Sequence, residues 1–309
     1  MRDILYRIIG PVREFILTRP WHSFWGFVAF VIILMGMFAP IIAPYDPLWV
    51  DFHNFKGAPD SDHWFGTDNI GRDLASRIIY GARSSLIVAA SAVTIGTLTG
   101  VVWGIVSGYL GGKVDLIAER LIEILMALPG LIFAYMLVIV LGPSMWTVIF
   151  ALSITRIPTV ARTVRSVVLI VKQSMYIEAA KAIGISQFRI MWRHVLPQCV
   201  AVVIVLITIN IGAIIIAEAS LSYLGVGINP PTPSWGKMLA EAGEQLYPLW
   251  WFVAAPGVAI TLTVLAFNLF GDGLRDALDP RLRGTGTVSY THLRAHETLR
   301  YLVCRLLLE

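Results

Sequence analysis

Six long stretches of apolar residues alternate with shorter polar segments along the chain. A helix that crosses a bilayer needs about 20 mostly apolar residues, and each of the six stretches reaches that length. The segments between them contain the prolines, glycines, aspartates and charged residues that mark turns and loops. The pattern predicts an all-α membrane protein with six transmembrane helices, at about residues 24–43, 84–108, 116–141, 145–171, 197–224 and 249–270.

The first stretch has a second interpretation as a cleaved secretory signal, because a segment with four arginines precedes it. Its apolar run is long for a signal peptide, and Pro40 and Pro44 crowd the small residues at which cleavage would occur. We therefore favour an uncleaved first transmembrane helix.

Composition indicates lipid rather than water as the main solvent of the fold. Of the 309 residues, 57% are hydrophobic and 14% are charged, whereas soluble domains carry about 25% charged residues. A chain this apolar cannot cover its surface with polar groups in water. The net charge of +4 is small and does not suggest nucleic-acid binding.

Side chains that perform catalysis or bind metals form no recognisable pattern in the sequence. Cys199 and Cys304 form no disulfide framework and no metal-ligand spacing, and the six histidines are scattered without an HExxH pair. There is also no Walker-type Gly-rich loop followed by Lys and Ser or Thr. We therefore expect no catalytic residue, no metal, no cofactor and no ATP hydrolysis in this chain.

Lys and Arg are distributed unevenly among the polar segments. If the N-terminus is cytoplasmic, the segments on that side hold fifteen Lys and Arg and the opposite loops hold five. Cytoplasmic loops of membrane proteins carry an excess of these residues. The distribution therefore predicts that both termini are cytoplasmic.

Residues 285–309 differ in character from the rest of the chain. The segment VSYTHLRAHET, at 288–298, looks like a translated transposon-type sequencing adapter, which should be excluded from a fold prediction. We therefore expect residues 285–309 to be a non-native tail. The alternative is a genuine amphipathic C-terminal helix with three consecutive leucines at 306–308.

Small residues and prolines predict how some of the helices pack. Four glycines in the second stretch are spaced four residues apart: Gly96, Gly100, Gly104 and Gly108. On a helix they form one smooth face that lets another backbone approach closely in lipid, either as static packing or as a contact that shifts during transport. Pro129 in the third stretch and Pro256 in the sixth predict bends or breaks.

Glu218 is an acidic residue within the fifth stretch. A charge inside the bilayer is costly and must face protein or water. Glu218 is therefore a candidate for the translocation path; alternatively it pairs with Arg156 of the fourth helix or lies near the outer end of its own helix. A secondary transporter driven by an ion gradient needs embedded ion sites, often in related halves, and the sequence offers only Glu218 and no clear repeat.

The polar segment at about 172–196 has the pattern of two short helices joined at Gly184. Residues 174–183 are strong helix formers, and Gly184 is a natural helix stop because glycine adopts the left-handed conformation. A second, basic helix at about 187–194 is predicted to end before Pro197. Because alanine side chains are small, one surface of this elbow can fit into a groove of a partner protein. Arg189 can reach acidic residues of that partner or lipid phosphates.

This segment resembles the EAA motif of binding-protein-dependent ABC transporter permeases. The resemblance is carried by the run EAA at 178–180, by Gly184 and by the later Leu196-Pro197. Two further segments, which begin with GTDNIGRD at 66–73 and LSYLG at 221–225, resemble those of dipeptide/oligopeptide/nickel permeases. Over about residues 8–284 the chain resembles the C-type subunit of that family.

The resemblance implies an importer-type ABC permease fold in a bacterial inner membrane. We predict that residues 1–83 contain a cytoplasmic N-terminus, the first transmembrane helix and an outer loop. Residues 84–284 are predicted to form a five-helix permease core, which includes a cytoplasmic coupling helix at about 174–189. Docking of an ATPase subunit is expected from Glu178, Ala179, Ala180, Gly184 and Arg189.

The family resemblance also implies partners and a class of cargo. The partners are a second permease subunit in a heterodimer, two ATPase subunits and an extracytoplasmic substrate-binding protein. The cargo is a peptide or a related small solute, with nickel as a further possibility. Asp68, Arg72 and Asp73 are candidate contacts with the binding protein, and the alternative for their loop is a structural collar at the membrane surface.

Overall fold

The computed structural model describes residues 13–244 and 249–278, so the predicted non-native tail lies outside the described residues. The described residues up to Arg275 belong to one compact unit, which contains all the packing described below, and a second unit begins at Asp276. From Pro20 onward the helices are α1 (Pro20–Met37), α2 (Ala39–Ile42), α3 (Leu74–Leu110), α4 (Gly112–Met126), α5 (Gly130–Leu141), α6 (Met145–Lys172), α7 (Met175–Ala182), α8 (Gln187–Ile190), α9 (Leu196–Tyr223), α10 (Trp235–Gly243) and α11 (Trp250–Leu278).

The described residues contain no β-strand, which confirms the all-α prediction. Within residues 13–244 and 249–278, five helices are long and apolar enough to cross a membrane: α1, α3, α6, the continuous helix that contains α8 and α9, and α11. The bent pair of α4 and α5 makes a sixth span if the two helices are counted together. We call the end of the bundle that carries residues 44–73 and 224–244 the loop end, and the end that carries residues 173–195 the elbow end.

The fourth and fifth predicted spans coincide with α6 and α9 to within one residue at each end. The largest difference is at α3, which begins ten residues before the predicted span. Asp73 caps this earlier start, because its Oδ2 accepts a hydrogen bond from the Ser76 N–H at 2.7 Å. The first turns of α3 contain the buried Ser76 and Arg77 and the exposed Arg83, so the apolar run read from the sequence starts only after them.

The two proline predictions have different outcomes. Met126 and Gly130 flank a break at which α4 and α5 meet at 83°, as predicted from Pro129. Helix α11 continues through Pro256 without a break, and a bend at Pro256 stays a prediction. A proline removes one backbone hydrogen bond, and the remaining bonds of a 29-residue helix can keep it continuous.

The predicted helix end before Pro197 is wrong. A π-helical turn, Met191–Val195, joins α8 to α9, so the chain is helical from Gln187 to Tyr223. Pro197 is the second residue of α9. The π-helical turn directly before Pro197 shifts the backbone hydrogen bonds from four to five residues, and this change of pattern accommodates a residue without an N–H inside a continuous helix.

The four glycines of α3 face α6 at very short distances. A Cβ atom at Gly104 would lie 2.5 Å from the carbonyl oxygen of Ala161, and one at Gly100 would lie 2.7 Å from Val160 Cβ. Gly96 and Gly108 meet α6 in the same way, at Ser153 and Val168 respectively. The small-residue face is therefore a close helix–helix contact, and a shift of this contact during transport stays a hypothesis.

Candidate functional site

The elbow has a defined turn at Gly184. This residue has φ of +78° and follows the last residues of α7. The N–H of Ile185 donates to the carbonyl of Ala180 at 3.1 Å, and the N–H of Gly184 donates to the carbonyl of Lys181 at 3.0 Å. These two bonds make a Schellman cap, in which the left-handed residue is usually glycine. The predicted helix stop at Gly184 is thus confirmed, with a specific geometry.

One face of the elbow is fixed in the protein. Ile177 and Ile190 are fully buried, and Ala180 is nearly so. They belong to an apolar cluster that also includes Ile105 of α3 and Val164 of α6. Both short helices of the elbow are therefore anchored on the elbow ends of α3 and α6.

The opposite face of the elbow is exposed and apolar. Met175, Ile183 and Phe188 are each more than two-thirds exposed. Of the predicted docking residues, Ala180 is buried, and the others are exposed: Glu178, Ala179, Gly184 and Arg189. The structure therefore brings the predicted residues together on one elbow, but Ala180 belongs to its anchored side.

Polar contacts also hold the elbow end together. The guanidinium of Arg165 on α6 donates two hydrogen bonds to the carboxylate of Asp115 on α4, both at 2.6 Å. The ammonium groups of Lys172 and Lys181 lie 5.8 and 5.7 Å from the centre of the Tyr109 ring. A cation at this distance is attracted by the face of an aromatic ring. These contacts connect α3, α4, α6 and α7.

At the loop end, a buried carboxylate organises a network of charges. Asp68 is fully buried, and its Oδ2 accepts from Arg72 Nε at 2.6 Å and from Arg77 Nη1. Both arginines also reach Glu241 of α10, at 3.2 Å and 2.8 Å respectively. The other oxygen of Asp68 accepts from the backbone N–H groups of Ile70 and Arg72. The network joins the first long loop to α3 and α10.

Asp73 is also held by contacts within the protein. It is buried, caps α3, and its Oδ1 lies 2.9 Å from Nδ1 of the buried His63. Asp68 and Asp73 therefore have almost no surface with which to contact another protein, whereas Arg72 is partly exposed. This burial fits the structural collar, and contact with a binding protein stays a prediction for this loop.

Glu218 is fully buried and accepts hydrogen bonds from two serines. Ser85 of α3 donates at 2.9 Å, and Ser222, one turn further along α9, donates at 2.8 Å. The residue lies in the last two turns of α9, near the loop end, and does not pair with Arg156. Its role in the translocation path stays a prediction.

Arg156 is the twelfth residue of α6, about 17 Å from the first residue of that helix at the usual rise per residue. Its Nε is buried without a hydrogen-bond partner, and none of the described residues forms an ion pair with it. A lone arginine at this depth in a bilayer costs about 3 kcal/mol or more. From the sequence alone, Arg156 was considered only as a partner of Glu218, whose hydrogen bonds instead come from Ser85 and Ser222.

Several residues of these sites were not found by sequence reasoning. Arg77 and Glu241 are separated by 164 positions, so no local pattern joins them. Ser85 and Ser222 look like ordinary small polar residues in apolar stretches. A useful signal for Ser222 was its spacing of four from Glu218, which places both on one helix face.

Comparisons of the chain with a family model and with known proteins point to the same family. A family model described as "Binding-protein-dependent transport system inner membrane component" matches residues 100–284. The glutathione transport system permease protein GsiD of Escherichia coli O1:K1 / APEC is 43% identical over 278 residues, which cover 86% of this chain and 92% of that protein. The GsiD proteins of Shigella boydii serotype 4 (strain Sb227) and Escherichia coli O157:H7 match with the same identity and coverage.

Members of this family are multi-pass proteins of the bacterial inner membrane and are not themselves enzymes. ATP is hydrolysed by separate subunits, and a second permease and a substrate-binding subunit complete the system. The chain therefore belongs to the binding-protein-dependent transport system inner membrane components, as a permease subunit of an ABC importer of the peptide/nickel family.

Proposed function

We propose that the elbow, residues 174–189, transmits ATP-driven motion from an ATPase subunit to the membrane helices of this permease, in an importer of peptide-like solutes. In the complete importer this chain pairs with a different permease subunit, and the heterodimer binds two ATPase subunits and one extracytoplasmic binding protein. Glu178, Ala179, Gly184 and Arg189 form the exposed docking surface, and Ala180 anchors it.

One observation supports this role above the others: the elbow is exposed and apolar on one face and anchored on the other. Met175, Ile183 and Phe188 offer apolar surface to a partner, whereas Ile177 and Ile190 are fixed in the bundle. Because α8 continues into α9 through the π-helical turn, a displacement of the elbow moves a 37-residue helix as a lever. The same displacement reaches α6 through the short link at 173–174.

The orientation that fits this role places the elbow end in the cytoplasm, with both termini on the same side. The excess of Lys and Arg in the segments at that end supports this orientation. The loop end then faces the binding protein. Its exposed aromatic residues, which include Phe52 and Trp64, lie in the same loop as Asp68, Arg72 and Asp73.

A peptide-like cargo is supported by the similarity to permeases that transport glutathione. Glutathione is therefore the first cargo to test. ATP-dependent uptake of glutathione by the reconstituted importer is the expected result. Uptake that follows an imposed ion gradient without ATP would contradict the proposal and favour a secondary transporter.

Replacing Gly184 by valine should uncouple the elbow. No atom lies within 4 Å of a Cβ at this position, so the change introduces little steric conflict. The β-branched residue instead disfavours φ of +78°, and the Schellman cap should open. We expect at least a tenfold loss of ATP-driven uptake, with folded permease still recovered from membranes.

Gly184→Asn is the matched control, since asparagine tolerates the left-handed conformation better than other non-glycine residues. We expect this variant to retain more than half of wild-type uptake. Both measurements use the assembled importer in proteoliposomes, with binding-protein-stimulated ATPase activity recorded in parallel. Normal coupling in Gly184→Val would show that the elbow geometry is not needed for transmission.

A further inference from the structure

We infer that Tyr109 is a positioning residue for the elbow: its ring holds the ammonium group of Lys181, so that a displacement of α7 passes directly to the end of α3. The inference rests on the proposed function, because it requires a partner that displaces the elbow. It adds a third route of transmission to the two that run through α8 into α9 and through residues 173–174 into α6.

The ring of Tyr109 has a fixed position at the elbow end. Tyr109 lies in the last turn of α3, and only 4% of it is exposed. It belongs to the same apolar cluster as Ile177 and Ala180 of α7. Directly after it the chain turns into α4 through Gly111 and Gly112, which both have positive φ, +70° and +56°. The ring is therefore held by packing against the elbow and not by its own flexible side chain.

Two lysines of different helices bring their ammonium groups to this ring. Lys181 of α7 lies 5.7 Å from the ring centre, and Lys172, the last residue of α6, lies 5.8 Å from it. A cation within about 6 Å of the centre of an aromatic ring is attracted by the negative charge of the ring face. The ring therefore attracts both ammonium groups and joins the ends of α3, α6 and α7.

The hydroxyl group of Tyr109 does not account for these contacts. It is buried, and none of the described residues is its hydrogen-bond partner. A buried polar group without a partner lowers the stability of a protein. What Tyr109 contributes to the elbow is therefore its aromatic ring, and a phenylalanine at this position should perform the same task.

The contact also determines which helices follow the elbow. Gly104 and Gly108 hold the backbone of α3 close to α6 in the elbow half of both helices. At the end of the same two helices, Tyr109 and Lys172 meet. A displacement of α7 that reaches the ring through Lys181 therefore moves α3 and α6 as one body. Without this contact α7 can move against α3, and ATP is then hydrolysed without the corresponding uptake.

The test measures the number of glutathione molecules taken up per ATP hydrolysed with binding-protein stimulation, in the assembled importer in proteoliposomes. A merely structural defect lowers uptake and hydrolysis together and leaves this ratio unchanged. We expect Tyr109→Leu and Lys181→Met each to lower the ratio at least about threefold, because each removes one partner of the contact. Tyr109→Phe and Lys181→Arg keep a ring and a cation, and each should retain at least about two-thirds of the wild-type ratio.

Two further variants show whether the two residues act through each other. Tyr109→Leu combined with Lys181→Met should be no worse than the more severe single variant, since the contact can be lost only once. Lys113→Met removes an exposed lysine of α4 and should keep the wild-type ratio.

Three results would overturn the inference while wild-type uptake stays intact. The first is an unchanged ratio in Tyr109→Leu, and the second is a double variant in which the two losses multiply. The third is an equal loss in Lys113→Met, which would assign the effect to the positive charge of the elbow end and not to the ring. A wild-type importer without ATP-dependent uptake would overturn the proposed function itself, and this inference with it.

Discussion

Replacing Gly104 by alanine is expected to destabilise the permease by about 2 kcal/mol, which is in the usual range for overpacking a tight contact. The added methyl group would lie 2.5 Å from the carbonyl oxygen of Ala161 and 3.1 Å from the backbone N of Arg165. Because these are backbone atoms of α6, no side-chain rotation relieves the conflict. Gly104→Val should be more severe and should prevent recovery of most of the folded protein.

Gly257→Ala is the matched control, in another apolar helix. Gly257 lies in α11 with no atom within 4 Å of a Cβ position, so the methyl group meets open space. The melting temperature of the Gly257→Ala variant should equal or slightly exceed that of wild type, since alanine favours helix more than glycine does. The measurement is the fraction of monodisperse permease that survives heating in a mild detergent. Equal melting temperatures for the two variants would show that α3 and α6 are not in close contact.

The sequence predicted the helices best where local signals agree with hydrophobicity. For α6, Ser144 follows a polar break and caps the helix by accepting from the Thr147 N–H at 3.1 Å. The elbow was predictable for the same reason, because Gly184 is a local helix stop and the alternation of buried and exposed residues follows the helical period. The glycine face of α3 was also visible as a spacing of four residues.

Prediction failed where distant residues change the meaning of a local pattern. The first turns of α3 contain Arg77, which a hydropathy pattern places in a loop, but Asp68 and Glu241 neutralise its charge and allow its burial. Similarly, Pro197 predicts a helix end, but the π-helical turn before it lets the chain continue into α9. Neither the pairing nor the turn can be read from neighbouring residues alone.

The candidate functional residues also fall into two groups: the environment of some follows from the local sequence, and that of others depends on distant residues. Exposure of Glu178 and Arg189 follows from the elbow pattern, which is local. The environment of Glu218 depends on Ser85, a residue 133 positions away, and the isolation of Arg156 depends on which acids are already engaged. A buried charge can be found in a sequence, but its partner, or the lack of one, requires the packed helices.

Asp68→Asn is expected to have the second large effect, a loss of stability of about 3 kcal/mol. The amide nearly preserves the volume of the side chain but removes the charge that both Arg72 and Arg77 contact. Breaking a buried ion pair by removing one partner typically costs about 3–5 kcal/mol, because the remaining charge is buried without compensation. Because Glu241 still contacts both arginines in this variant, we expect the loss of stability to lie at the lower limit of that range.

A double variant at the loop end and a control variant at an exposed ion pair test whether the lost stability comes from an uncompensated buried charge. Adding Arg77→Met to Asp68→Asn should restore part of the lost stability, because the double variant no longer buries that uncompensated cation. Glu123→Gln removes half of the exposed Arg120–Glu123 pair and should change stability by less than about 0.5 kcal/mol. All are compared by the same heating assay, together with uptake by the assembled importer. If Asp68→Asn kept its melting temperature but lost uptake, the loop would act through contact with the binding protein rather than as a structural collar.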